Sequence, residues 1–273
     1  MSADFFPTIE NNFSPTPDGK AAEAAGGMVA TAFPDATGAG VEMLRRGGNA
    51  VDAACAAAFA LGVCEPQASG LGGQTMMLIG AGGWVVAIDG SSRAPSLAHV
   101  NAIYKRDRRQ GYRATTVPST VATLGYTHSR YGSLPWREVL APAVHIARNG
   151  YALTPLQCRL QERELENFHK IESLSGARYF LHDGKAFSPG DIFRQTDLAA
   201  LLERLAEKGA DEFYTGETAR RIDSDMRERG GLLRYDDLAL IPRPIERKPL
   251  SRKFRGFRVY SMPPPGAGRP LLF

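Results

Sequence analysis

The chain has 273 residues, 43% of them hydrophobic and 23% charged, an ordinary globular balance that suffices for a substantial core. The opening MSADFFPTIENNFSPTPDGK has neither the basic head nor the apolar stretch of a secretion signal, and no apolar run nears the ~20 residues that span a bilayer. A soluble cytoplasmic protein with no membrane partner is expected; the net charge of +4 gathers in YKRDRRQGYR and RPIERKPLSRKFRGFR, which match no nucleic-acid motif, so no nucleic-acid partner is expected either.

Residues 1–25, rich in Pro, Asn and Ser, predict a flexible arm, and residues 26–273 part of a single domain that they do not complete. Residues 28–33 predict a short strand. DATGAGVEMLRR predicts a helix that starts near Asp35 or Thr37 and is stopped by Gly47-Gly48. Asn49 suits a cap for AVDAACAAAFALGV, where Val51, Ala54, Cys55, Ala58 and Gly62 keep helical spacing. Nearly every face of that helix is apolar, so burial against close neighbours is expected. Residues 75–79 and 84–89 predict a hairpin across GAGG.

TVATLGYTHSRYG, PWREVLAPAVHIARNG, TPLQCRLQERELENF, DLAALLERLAEKGA and ETARRIDSDMRERGG predict a block of helices punctuated by Gly and Pro. Val139, Leu140, Ala143, Val144 and Ala147 mark the clearest stripe. Two last strands are expected at residues 245–250 and 254–261. Strands at both ends around a helical middle predict an α+β fold, its sheet completed late in the chain, and not an alternating doubly wound one.

The most unusual stretch is EPQASGLGGQTMM, from Glu65 to Met77. Its Gly70, Gly72 and Gly73 follow a helix and precede a strand, the reverse of a dinucleotide-binding turn, and no Lys follows as in a phosphate loop. Ser69 sits between Ala68 and Gly70, so the nucleophile elbow G-x-S-x-G is missing as well. Cys55, Cys64 and Cys158 form no CxxC pair and read as free thiols; no catalytic thiol is expected. His99, His128, His145, His169 and His182 are scattered without ligand spacing, so no metal and no cofactor is expected. Asp236-Asp237 reads as a loop or a helix cap.

The run MVATAFPDATGAGVEMLRRGGNAVDAACAAAFALGVCEPQASGLGG resembles the beginning of γ-glutamyltransferases, also called glutathione hydrolases. The resemblance continues through VPSTVATLGYTHSRYGSLPWREVLAPAVHIARNGYALTP, GADEFYTGETARRI, GGLLRYDDLA and FRGFRVYSMPPPGAG in family order, covering the chain from about Gly26 onward.

It implies the N-terminal, large-subunit part of an N-terminal nucleophile hydrolase, an αββα sandwich. The family's precursor cuts itself before a Thr that becomes both nucleophile and, through its own amine, base. That Thr belongs to the small subunit, so the resemblance implies no catalytic residue within this chain. A small-molecule γ-glutamyl or related acyl substrate and a separate small-subunit chain are the implied partners. An acylase of the same superfamily, or an inactive binding fragment, stands as the alternative.

The SGLGG turn is expected to be cramped, with no room for a Cβ. Where the family grips the substrate's α-carboxylate with an Arg in Asp-Phe-Arg-Glu-x-Ala-Pro, this chain reads Asp89-Gly90-Ser91-Ser92-Arg93-Ala94-Pro95. Ser91 takes the Arg position and Arg93 lies two residues on, on the same face of an extended segment but displaced by about 6.6 Å. Arg93 is the candidate substrate-binding residue, with a structural role as its rival.

Overall fold

The computed structural model describes residues 22–103, 110–170 and 176–268. Residues 1–21 of the expected arm, and residues 104–109 of the first basic run, lie outside the described residues; residues 22–25 carry no helix or strand.

Helix α1 (Pro34–Arg45) begins with Pro at its first position, where the missing N–H costs nothing. It ends where Gly47 takes a φ of +83°. Helix α2 (Ala50–Cys64) starts in a full capping box: the Asn49 side chain accepts from the Val51 and Asp52 amides, and the Asp52 carboxylate accepts from the Asn49 amide. The helical spacing of α2 survives with one correction. Val51, Cys55 and Gly62 are buried, but Ala54 is exposed and Ala58 only half-buried, because this side of the helix faces a surface groove with residues 26–31.

The strand expected at residues 28–33 does not form. Its alternation is real, with Val29 half-buried against the core and Phe33 buried. The segment buries that face on α1 and α2 and pairs with no other strand among the described residues. Period-two burial therefore arose without a sheet.

Strands β1 (Thr75–Ala81) and β2 (Trp84–Gly90) form the expected hairpin, turned at Gly82 and Gly83 with φ of +54° and +85°. Helices α3 (Thr120–Tyr131), α4 (Trp136–Asn149) and α5 (Pro155–Lys170) follow, and the α4 stripe is buried at Val139, Leu140, Ala143 and Ala147. Small elements escaped sequence reading: α6 (Gly176–Phe180), the two-residue strands β3 (Tyr151–Ala152) and β4 (Ile192–Phe193), which pair with each other, the four-residue helix at Glu212–Thr215 and the single 3-10 turn at Tyr112–Ala114. Helices α7 (Thr196–Lys208), α8 (Glu212–Thr215), α9 (Glu217–Glu228) and α10 (Tyr235–Ala239) complete the helical block.

The strand expected at 245–250 divides. Strand β5 (Ile245–Arg247) joins β2, whereas β6 (Leu250–Phe254) turns at Arg255-Gly256 into β7 (Phe257–Ser261) as a separate hairpin. Pro249 lies at the break and has no N–H to donate to a ladder. The main sheet has the order β1-β2-β5, all antiparallel, so residues 75–90 meet residues 245–247 from beyond the helical block, and the fold is α+β. One core unites α1, α2, α3, α4 and α7. Its electrostatic pin is Asp52, fully buried, which also accepts from the Ser133 and Leu134 amides and the Ser133 hydroxyl. None of the described helices is long and apolar enough to cross a membrane.

Candidate substrate-facing site

At the end of β2 the chain alternates between two faces. Ile88 pairs with Glu246 of β5, and Glu246 accepts from the Tyr126 and Tyr131 hydroxyls, so this face lies against α3. Gly90 shares it, and there the packing leaves no room. A Cβ on Gly90 would collide with the Thr123 hydroxyl and come within 2.5 Å of the Thr75 carbonyl oxygen. The Ser119 hydroxyl donates to the Gly90 carbonyl and the Thr123 hydroxyl to the Ser119 carbonyl, which fixes the first turn of α3 to the end of the strand.

Asp89 and Ser91 occupy the opposite face. Asp89 is only 5% exposed and is held by two neighbours. Arg247 Nε donates to Asp89 Oδ2 at 2.7 Å. The Ser91 hydroxyl and amide donate to Oδ1 at 2.5 and 3.1 Å. Burial alone would raise this carboxyl, but the donors from Ser91 and Arg247 outweigh it and hold it below the usual carboxylate range. Ser92 is tied in turn to the glycine stretch, its amide donating to Gln74 Oε1 at 3.0 Å and its hydroxyl at 3.2 Å.

Arg93, the candidate from sequence, is exposed at the end of this segment. Its Nη2 donates to the Asp237 carbonyl at 2.8 Å, and its own carbonyl accepts from the Val117 amide at 2.9 Å. Asp237 caps α10, the second of the two roles expected of the Asp236-Asp237 pair, and its Oδ1 accepts from the Ser96 amide. Arg93 therefore already carries one structural contact, while its other guanidinium donors have no acceptor among the described residues.

The glycine turn departs from expectation. A Cβ on Gly70 or Gly72 would meet nothing within 4 Å, and on Gly73 only ordinary contacts at 3.6 Å. The turn is not cramped: Ser69, Gly70, Leu71 and Gly72 form one wall of a cleft of about 1010 Å³ that also takes in Arg194 and Leu201. What the turn supplies internally is backbone, since the Gly73 carbonyl accepts from the Ser119 and Thr120 amides.

Nucleophilic and ligating side chains are placed elsewhere. Burial pushes the thiols of Cys55 and Cys64 up to about 12 and raises that of Cys158, disfavouring thiolates. His128 is buried beside Asp52, Nε2 lying 3.0 Å from the Leu134 carbonyl, while His99, His145, His169 and His182 are exposed. Among the described residues no three His, Cys, Asp or Glu side chains come together to hold a metal.

Sequence reasoning missed Gly90, Thr123 and Arg247. The signal for Arg247 was present in IER, where alternation puts Glu246 and Arg247 on opposite faces.

The gamma-glutamyltranspeptidase family model matches residues 36–273. The chain is 37% identical over 254 residues to the glutathione hydrolase proenzyme of Escherichia coli, covering 89% of this chain and 43% of that protein. It is 35% identical over 263 residues to acylase ACY 1 proenzyme of a Pseudomonas species, covering 91% and 46%. It superimposes on the Helicobacter pylori gamma-glutamyltranspeptidase crystal structure with a TM-score of 0.85 at 34% identity, covering 90% of this chain and 72% of that one. The chain thus spans less than half the length of these curated relatives. It belongs to the gamma-glutamyltranspeptidase family.

Proposed function

We propose that residues 1–273 form the N-terminal part of an enzyme that hydrolyses or transfers γ-glutamyl groups of glutathione and related amides. The acyl-enzyme would form on a Thr outside these residues, in a small-subunit portion or separate chain. Family membership over residues 36–273 is the observation that carries this reading. Within it the segment from Asp89 to Pro95 reads the acyl group, Arg93 gripping its α-carboxylate with the guanidinium donors that Asp237 leaves free.

An acylase that takes a different acyl group is the second reading. It is favoured by Ser91 standing where the family's Arg would be and by the 35% identity to an acylase proenzyme. The test is release of chromophore from a γ-glutamyl anilide. Residues 1–273 alone are expected to show none above the no-enzyme rate, and the full-length protein a clear rate. Turnover by residues 1–273 alone would overturn the assignment of the nucleophile. A full-length protein that cleaves an adipyl or glutaryl amide but no γ-glutamyl amide would establish the acylase reading.

A further inference from the structure

We infer that Arg247 is a second carboxylate-holding group of this site, positioned by Asp89; the inference rests on the γ-glutamyl reading above. Arg247 lies opposite Ala87 in the sheet, and Ala87 and Asp89 alternate onto the same face, so Arg247 reaches Asp89 diagonally across two strands. Glu246 points to α3, which leaves Arg247 on the face away from that helix, the face that Ser91 also occupies.

Asp89 then acts as a clamp. One of its oxygens takes Arg247 Nε and the other takes the Ser91 hydroxyl and amide. The Arg247 guanidinium and the Ser91 side chain are thereby fixed on the two oxygens of a single carboxylate.

Arg247 spends only one edge donor on Asp89. Its terminal nitrogens have no acceptor among the described residues, and its side chain is 37% exposed. A guanidinium anchored through Nε presents those nitrogens as a fork, the geometry that binds a carboxylate in two places. At the residue where the family carries its Arg this chain has Ser91. The cation missing from position 91 is therefore supplied from the neighbouring strand, with Arg93 on the other side along the chain. The acyl groups this arrangement admits carry a carboxylate at the end remote from the scissile amide.

The test uses the full-length protein and three variants: Arg247→Lys, Arg247→Gln, and the neutral pair Asp89→Asn with Arg247→Gln. Lys keeps the charge opposite Asp89 but loses the fork. Expected for Arg247→Lys is a rise of about 10-fold in KM for a γ-glutamyl anilide, with kcat within twofold. The corresponding anilide lacking the α-carboxylate changes by less than twofold, and the melting temperature is kept.

The neutral pair removes the buried charge imbalance and is expected to show the same selective loss if Arg247→Gln alone melts early. A wild-type KM in Arg247→Lys, or equal losses on both substrates in a variant that melts normally, would overturn the role and leave Arg247 as the counter-ion of Asp89. A wild-type protein inactive on every γ-glutamyl substrate would instead sink the functional reading itself.

Discussion

Two glycine-bearing turns meet at one end of the β1–β2 hairpin, where Thr75 pairs with Gly90, and their surroundings are opposite. Gly90 is walled in by Thr123 and the Thr75 carbonyl, whereas Gly70 and Gly72 face open space beside a cleft. Glycine is needed at the first by packing within these residues. At the second, no described atom forbids a side chain. The open space at Gly70 and Gly72 leaves their backbone accessible from the cleft. The contrast separates a glycine that packing requires from glycines whose side-chain space is open.

Gly90→Ala sharpens that contrast most strongly. It forces a methyl group against Thr123, and a loss of about 1–3 kcal/mol is expected in chemical denaturation of the full-length protein. Adding Thr123→Ala should restore part of it by removing the colliding atoms. A Gly90→Ala protein as stable as wild type would erase the distinction between the two turns.

Acid titration addresses the clamp beside the crowded glycine. Asp89 has a folded pKa below its unfolded value, so the unfolded chain binds more protons and stability rises with pH in that window. Its contribution is complete above the unfolded carboxylate value of about 3.9 and is lost as pH falls through the lower folded value. Asp89→Asn is expected to flatten the pH dependence of stability below about pH 4. An unchanged slope would show that the Ser91 and Arg247 donors do not favour the ionised form.

The smallest effect on folding is expected at the open turn. Gly70→Ala and Gly72→Ala should each shift stability by less than about 0.5 kcal/mol, since neither methyl meets an atom. Loss of stability above about 1 kcal/mol would mean that the turn is crowded after all.

Much of this arrangement was readable from the sequence, and the unread parts share a physical cause. Asn49, the Gly82-Gly83 turn and the stripe on α4 declared themselves because caps, turns and helical stripes are local in sequence. Residues 28–33 misled because alternating burial was satisfied by helices and not by a sheet.

The glycines of SGLGG were visible but their surroundings were not, as the presence of a neighbour is a tertiary fact. Arg93 was found through its place after Asp89. Its bond to Asp237, and the grip of Asp89 on Arg247, join residues 144 and 158 positions apart and leave no local mark.

The central claim is that the segment after β2 reads a substrate carboxylate through Arg93. The most direct measurement is kcat/KM of Arg93→Ala in the full-length protein, on a γ-glutamyl anilide and on its analogue without the α-carboxylate. Loss of a charge-assisted contact of about 1.5–3 kcal/mol predicts a fall of roughly 10- to 150-fold on the first substrate and little change on the second. Equal falls on both, with a lowered melting temperature, would contradict the claim and leave Arg93 as the tie between this segment and the Asp237 carbonyl.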